Sequence, residues 1–278
     1  VLRIYEDHLT PSEFSVLLHC NNNRELIPKD SAEKFITALD DWFLNMNNML
    51  LTSGKSEPEP YTLTKLRPTV WLFTGPNDNA NKILVVCFSV QGLRRLTIPN
   101  TLFMQYADAS KYDILMIREP HAQGYMQGVP HVGRDEIEVI EWIKTHKVLS
   151  RYERIRTIGS SAGGYPAVLA GHYLKAEFAM SAGGRFHSSR KSPRLVWRRI
   201  KMTFIARIIS RCPKIIFSHS INSRRDRKYA LIMSWITGGV RIPIKDSEAT
   251  IGHQFFEDLL KQGKLKAFFQ QTIFSEYD

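Results

Sequence analysis

Cysteine is scarce in this 278-residue sequence: Cys20, Cys87 and Cys212 are its only three, and they lie far apart. Such spacing builds neither a local metal site nor a disulfide framework, and it fits a reducing, cytoplasmic setting. Cys87 falls inside the apolar run Ile83 to Phe88, where a free thiol behaves as a small buried hydrophobe. Long hydrophobic runs are missing too. No stretch approaches the ~20 consecutive apolar residues that span a bilayer, and the opening Val1-Leu2-Arg3, followed by Glu6 and Asp7, lacks the apolar centre of a signal peptide. The chain therefore reads as soluble. Carboxylates are short in one place above all. Between Arg185 and Lys214 there are ten Lys or Arg and no Asp or Glu, and Arg224, Arg225, Arg227 and Lys228 follow soon after.

That region holds much of the net charge of +11. It is either a solvated basic face or a place of contact with an anionic polymer, phosphate groups or an anionic membrane surface. No nucleic-acid partner is expected. With 43% hydrophobic residues the chain can bury a large core, which excludes disordered and fibrous classes.

Residues 1–65 differ from the rest. A strand is expected over Phe14 to Cys20, then a polar turn at Asn21-Asn22-Asn23. A helix should follow from Ser31, carrying Phe35, Ile36, Leu39, Trp42 and Phe43 at helical spacing. Gly54 to Pro60 is the best linker, because proline and charge deny it both helix and ladder hydrogen bonds. From residue 66 to 278 short β-branched runs alternate with helical patterns. This is the signature of an α/β domain with a mainly parallel central sheet and flanking helices.

Strands are expected at Thr69–Phe73, Ile83–Ser89, Ile114–Arg118, Arg156–Gly159, Glu177–Ser181, Lys214–Phe217 and Val240–Ile244, the last an edge strand because Pro243 cannot donate to a ladder. A helix is expected from about Arg134 to His146. About residues 185–212, a basic helical insertion should form a cap. Leu195, Val196, Ile200, Phe204, Ile208 and Ile209 recur near helical spacing there, and Trp197 and Phe204 are expected to hold the segment against the body.

The most informative segment runs Arg156-Thr157-Ile158-Gly159-Ser160-Ser161-Ala162-Gly163-Gly164-Tyr165-Pro166. It contains a G-x-S-x-G match after a strand and before a helix. A sharp turn there needs small Gly159 and Gly163 so that strand and helix pass without collision. Pro166 falls in the first helical turn, where its missing N–H costs nothing. The helix N-terminus offers N–H groups and a positive dipole end to a developing oxyanion. Neither a dinucleotide fingerprint nor a phosphate-binding P-loop has this spacing. Ser161 is the nucleophile by the flanking glycines, with Ser160 as the alternative register.

On these residues the chain resembles the α/β-hydrolase superfamily over roughly residues 66–278. With Phe88-Ser89-Val90-Gln91-Gly92, Arg118-Glu119-Pro120 and Gly252-His253 added, it resembles more narrowly bacterial hydrolases associated with surface polysaccharides. The resemblance implies a triad in the chain order serine, acid, histidine. His172, about three helical turns beyond Ser161 or some ~16 Å along the axis, is too far to serve and is expected on the helix surface. His187 and His219 could line the cleft, and His253 is the implied base.

Asp226 is the leading acid, with Asp246 next and Glu248 third; Asp226 could equally cap a helix or pair with a neighbouring arginine. The oxyanion hole would use the N–H of Ala162 and a second from Val90 or Gln91. Arg194, Arg198 and Arg199 are the candidate anion-binding residues. The implied reaction is hydrolysis of a small-molecule or glycan ester, with no metal or cofactor. A thioesterase or acyltransferase acting on a phosphate-bearing carrier, or a non-catalytic binding module, remains open.

Overall fold

The computed structural model describes residues 8–22, 33–76, 81–89, 96, 98–121, 124–185, 193–209, 212, 214–245 and 255–276. Helices α1 (Pro11–Asn22) and α2 (Glu33–Leu51) lead into a hairpin of β1 (Thr62–Arg67) and β2 (Val70–Thr74). There follow β3 (Ile83–Ser89), α3 (Asn100–Tyr106), β4 (Tyr112–Arg118), α4 (Glu136–Thr145), β5 (Arg154–Ser160), α5 (Gly164–Tyr173) and β6 (Phe178–Ala182). The chain continues through α6 (Pro193–Ile209), β7 (Lys214–Ser220), α7 (Arg224–Thr237), β8 (Val240–Ile244), α8 (Phe255–Lys261) and α9 (Leu265–Gln271).

Among the described residues one eight-stranded sheet runs β1-β2-β4-β3-β5-β6-β7-β8. β1, β2 and β4 pair antiparallel, and every pairing from β4 through β3 to β8 is parallel. β3 is buried along its whole length, which is why Ile83-Leu84-Val85-Val86 reads as an unbroken apolar run. Its alternate residues feed two cores. Val85 and Cys87 join Trp71, Phe103, Phe178 and Phe269 on one face. Leu84, Val86 and Phe88 join Val139, Val168 and Met233 on the other. β8 lies at the edge, so Pro243 takes no ladder bond away from a central strand.

The expected strand over Phe14 to Cys20 is instead part of the helix α1. Its start carries a reciprocal cap: the Thr10 N–H donates to Glu13 Oε2 at 2.7 Å, and the Glu13 N–H donates to Thr10 Oγ1 at 3.2 Å. With Pro11 in the first turn, Thr10-Pro11-Ser12-Glu13 is a capping box that favours helix over strand. Phe14, Phe43 and Met46 belong to the same core cluster as Trp71 and Phe73. The stretch from Gly54 to Pro60 forms no helix or strand, yet it is tied to the loop after α3. Lys55 Nζ donates to the Ala107 carbonyl at 2.6 Å, and Glu59 Oε2 accepts from the Ala109 N–H at 2.7 Å.

The expected cap is not confirmed among the described residues, where α6 serves another purpose. β6 and β7 lie parallel and side by side, so the chain must cross back between them, and α6 is that crossover, packed between α5 and α7. Ala206 is buried in the core and Ile200 and Met202 pack against it. Trp197 and Phe204 do not hold the helix down: they are 70% and 53% exposed.

Candidate active site

In a parallel sheet, sites assemble beyond the carboxyl ends of the strands. Ser161 stands there, at the end of β5, and its φ of +52° places it in the left-handed region. Ser160 before it is ordinary extended backbone (φ −105°) and buried. One 3-10 turn, Ser161–Gly163, joins β5 to α5. The turn is as tight as the glycines allow: a Cβ on Gly159 would sit 2.0 Å from the Gly163 carbonyl oxygen, and one on Gly163 would sit 2.1 Å from that of Phe88. Gly164 is constrained as well: a Cβ there would sit 2.7 Å from the Gly184 Cα. The small residues are therefore a steric necessity of the crossing between β3, β5 and α5.

Asp226 lies in the first turn of α7 and is 1% exposed. Ser223 caps that helix by accepting from the Asp226 N–H at 3.2 Å, so the capping task is done by Ser223 and the Asp226 carboxylate serves elsewhere. Arg185 connects this carboxylate to the turn at Ser161. Its N–H donates to the Ser161 carbonyl at 3.1 Å, and its Nε lies 3.8 Å from Asp226 Oδ1. Burial pulls the Arg185 guanidinium below its ordinary pKa, while the Asp226 charge acts in the opposite sense. Ser161 and Asp226 thus share one end of the sheet, 65 residues apart in sequence.

His253 falls in the sequence between β8 and α8 but is outside the described residues; Asp246, Glu248, His187, Val90 and Gln91 are outside them too. His172 is not on the helix surface as expected. It is fully buried, and its Nδ1 accepts from the Cys212 N–H at 3.3 Å. Cys212 is inert beside it, because burial pushes its thiol up to about 12. His219 is buried near the end of β7, with Nδ1 3.1 Å from the Ser220 carbonyl.

The loop after β4 also reaches the turn at Ser161, a feature the sequence reading missed. Gly124, at φ +64°, lies within van der Waals reach of it: a Cβ there would meet Ala162 Cβ at 3.5 Å. Buried Glu119 holds the loop by accepting from the N–H groups of His121 at 2.7 Å and Gly124 at 3.2 Å. Tyr125 OH donates between the Ser89 and Ile117 carbonyls, 2.8 Å from each. The readable signal was Glu119 itself, a charge directly after a buried strand and followed by two glycines, Gly124 and Gly128, that take positive φ.

Of the three candidate anion-binding arginines, Arg194 and Arg198 are exposed on α6, and Arg198 lies 3.6 Å from Asp135. Arg199 turns inward and does not face solvent at all. Its Nη2 donates to the Gly124 carbonyl, its Nε lies 3.6 Å from buried Glu136, and its guanidinium sits over the Tyr165 ring, 4.2 Å from the centroid. Arg199 is a strut for the Gly124 loop. Arg199→Met is expected to lower unfolding free energy by about 3–5 kcal/mol, because Glu136 is left as an uncompensated buried charge. Arg194→Gln should change it by less than about 0.5 kcal/mol. Urea denaturation of the two variants checks the contrast, and equal, small losses would contradict the strut.

No family model and no curated protein matches this sequence. Solved structures do match. FphF, a fluorophosphonate-binding serine hydrolase of Staphylococcus aureus, superposes with a TM-score of 0.50 at 12% identity, over 76% of this chain and 98% of its own. Est1E from Butyrivibrio proteoclasticus gives 0.49 at 11%, over 78% of this chain and 100% of its own. Esterase B from Lactobacillus rhamnosis gives 0.43 at 12%, over 88% and 100%. At such identities the likeness is one of fold.

Proposed function

We propose that this chain, whose fold is that of the α/β-hydrolase superfamily, is a serine hydrolase that cleaves a carboxylic ester through an acyl-enzyme on Ser161. The observation that carries the reading is the left-handed backbone of Ser161 between glycines that tolerate no Cβ. A non-glycine residue held there costs on the order of 1–2 kcal/mol, and the turn projects its side chain from the end of β5 at a helix N-terminus, where a nucleophile meets backbone donors.

His253 takes the proton of Ser161 Oγ as that oxygen attacks the ester carbonyl. The tetrahedral oxyanion receives the N–H of Ala162 and a second from Val90 or Gln91. His253 then gives the proton to the leaving alcohol, and a water activated the same way releases the acid. Asp226 accepts from the other imidazole nitrogen, fixing the tautomer and stabilising the imidazolium. The substrate within this class is an acyl group on a sugar.

Turnover of p-nitrophenyl esters, acylated sugars and acyl thioesters tests the reading. Oxygen esters are expected to be cleaved, with kcat/KM falling as the pH is lowered and the histidine takes up a proton, because protonated histidine cannot accept the serine proton. Cleavage of thioesters alone would move the chain to the thioesterases, and a flat pH profile would remove histidine from the mechanism.

A further inference from the structure

The outward faces of α6 and α7 have an unusual composition. On α6 the exposed positions 194, 197, 198, 201, 204, 205, 208 and 209 follow the helical repeat and form one stripe. Its lower half is apolar: Phe204, Ile205, Ile208 and Ile209, the last two 70% and 72% exposed. On α7, Leu231 and Trp235 face out, Trp235 at 84%. Arg207 Nη1 donates to the Ile236 carbonyl, which sets the last turns of the two helices side by side and brings their apolar ends together. Single exposed apolar residues are common, but a patch continued across two helices is not.

The other halves of both stripes are cationic. Arg194, Arg198 and Lys201 on α6 and Arg224, Arg225, Arg227 and Lys228 on α7 are all exposed. α6 contains no acid, and the one acid of α7, Asp226, is buried. A face that simply meets water would mix signs and would not display Trp197 and Trp235. A second copy of this chain would bring cations against cations, which is unfavourable. Cations beside exposed tryptophan and isoleucine match a surface with negative charge at one level and hydrocarbon just below it.

We propose that the outer faces of α6 and α7 form a docking surface for a bilayer rich in anionic lipid. Both helices begin after the carboxyl ends of their strands, so their basic first turns lie at the sheet edge that carries Ser161. A docked molecule would keep that edge close to the headgroups. Among the described residues no helix is long and apolar enough to cross a membrane, and binding of this kind is peripheral.

The test is flotation of the full chain with vesicles of phosphatidylcholine alone and with about 30% phosphatidylglycerol, at about 0.1 M salt. The protein is expected to float with the anionic vesicles, to stay behind with the neutral ones, and to bind less as salt rises. Ile208→Ser with Trp235→Ser should weaken partitioning at least about tenfold through lost apolar contact. Arg224→Gln with Lys228→Gln should weaken it by a similar factor through lost charge. Far-UV circular dichroism establishes that each variant is folded, so the result does not depend on the chain being an esterase. Equal partitioning onto both vesicle types, none onto either, or unchanged binding by the folded variants would overturn the proposal. So would a concentration-dependent dimer abolished by Trp235→Ser, which would assign the face to a second copy.

Discussion

Ser161→Ala is expected to lower kcat on an activated ester by roughly 10⁶-fold, the loss seen when a nucleophile that acts as one unit with its base is removed. The fold should survive, since alanine only deletes Oγ from a partly exposed residue. Backbone donors around Ala162 would still bind the oxyanion, so a trace of turnover about 10³-fold over water is expected. Ser160→Ala should keep most of the activity, because Ser160 is extended and buried at the end of β5. Steady-state kinetics of both variants on one p-nitrophenyl ester decide the register, and a loss confined to Ser160→Ala would move the nucleophile by one residue.

The second large effect is Asp226→Asn, expected to reduce kcat by about 10⁴-fold with little change in KM, because an amide leaves the imidazole in the wrong tautomer. Asp226 also lies 3.8 Å from Arg185 Nε, so a second variant is needed to separate the roles. If the carboxylate orients the base, Arg185→Gln costs far less than Asp226→Asn. Were Asp226 only a partner for Arg185, the two variants would lose similar activity, and Asp246→Asn would then show the larger loss.

The parallel half of the sheet was legible because buried strands write themselves as apolar runs. Ile83–Ser89 and Val240–Ile244 match in full, and Pro243 marked the edge. β1 was missed because Thr62–Arg67 is an edge strand with no buried residue and carries no such run. α1 was misread because its apolar residues Phe14, Val16, Leu17 and Leu18 suggested a strand, while the decisive signal lay in the Thr10–Glu13 cap. The crossover role of the basic segment was not legible for a topological reason: composition does not show that a helix links β6 to β7 until the two are known to be parallel neighbours.

At the site, the glycine spacing disclosed the tight turn at Ser161 in advance, since its steric demand is local. Arg199 could not be told from Arg198 by its surroundings in sequence. Its inward direction follows only from helix phase and from the position of Glu136, 63 residues earlier.

The most direct measurement is reaction of the wild-type protein with a fluorophosphonate, followed by mass spectrometry of the labelled peptide. One adduct is expected, on Ser161, absent from Ser161→Ala and formed more slowly as the pH is lowered and the histidine takes up a proton. An adduct on Ser160, or no adduct with folded wild-type protein, would contradict it.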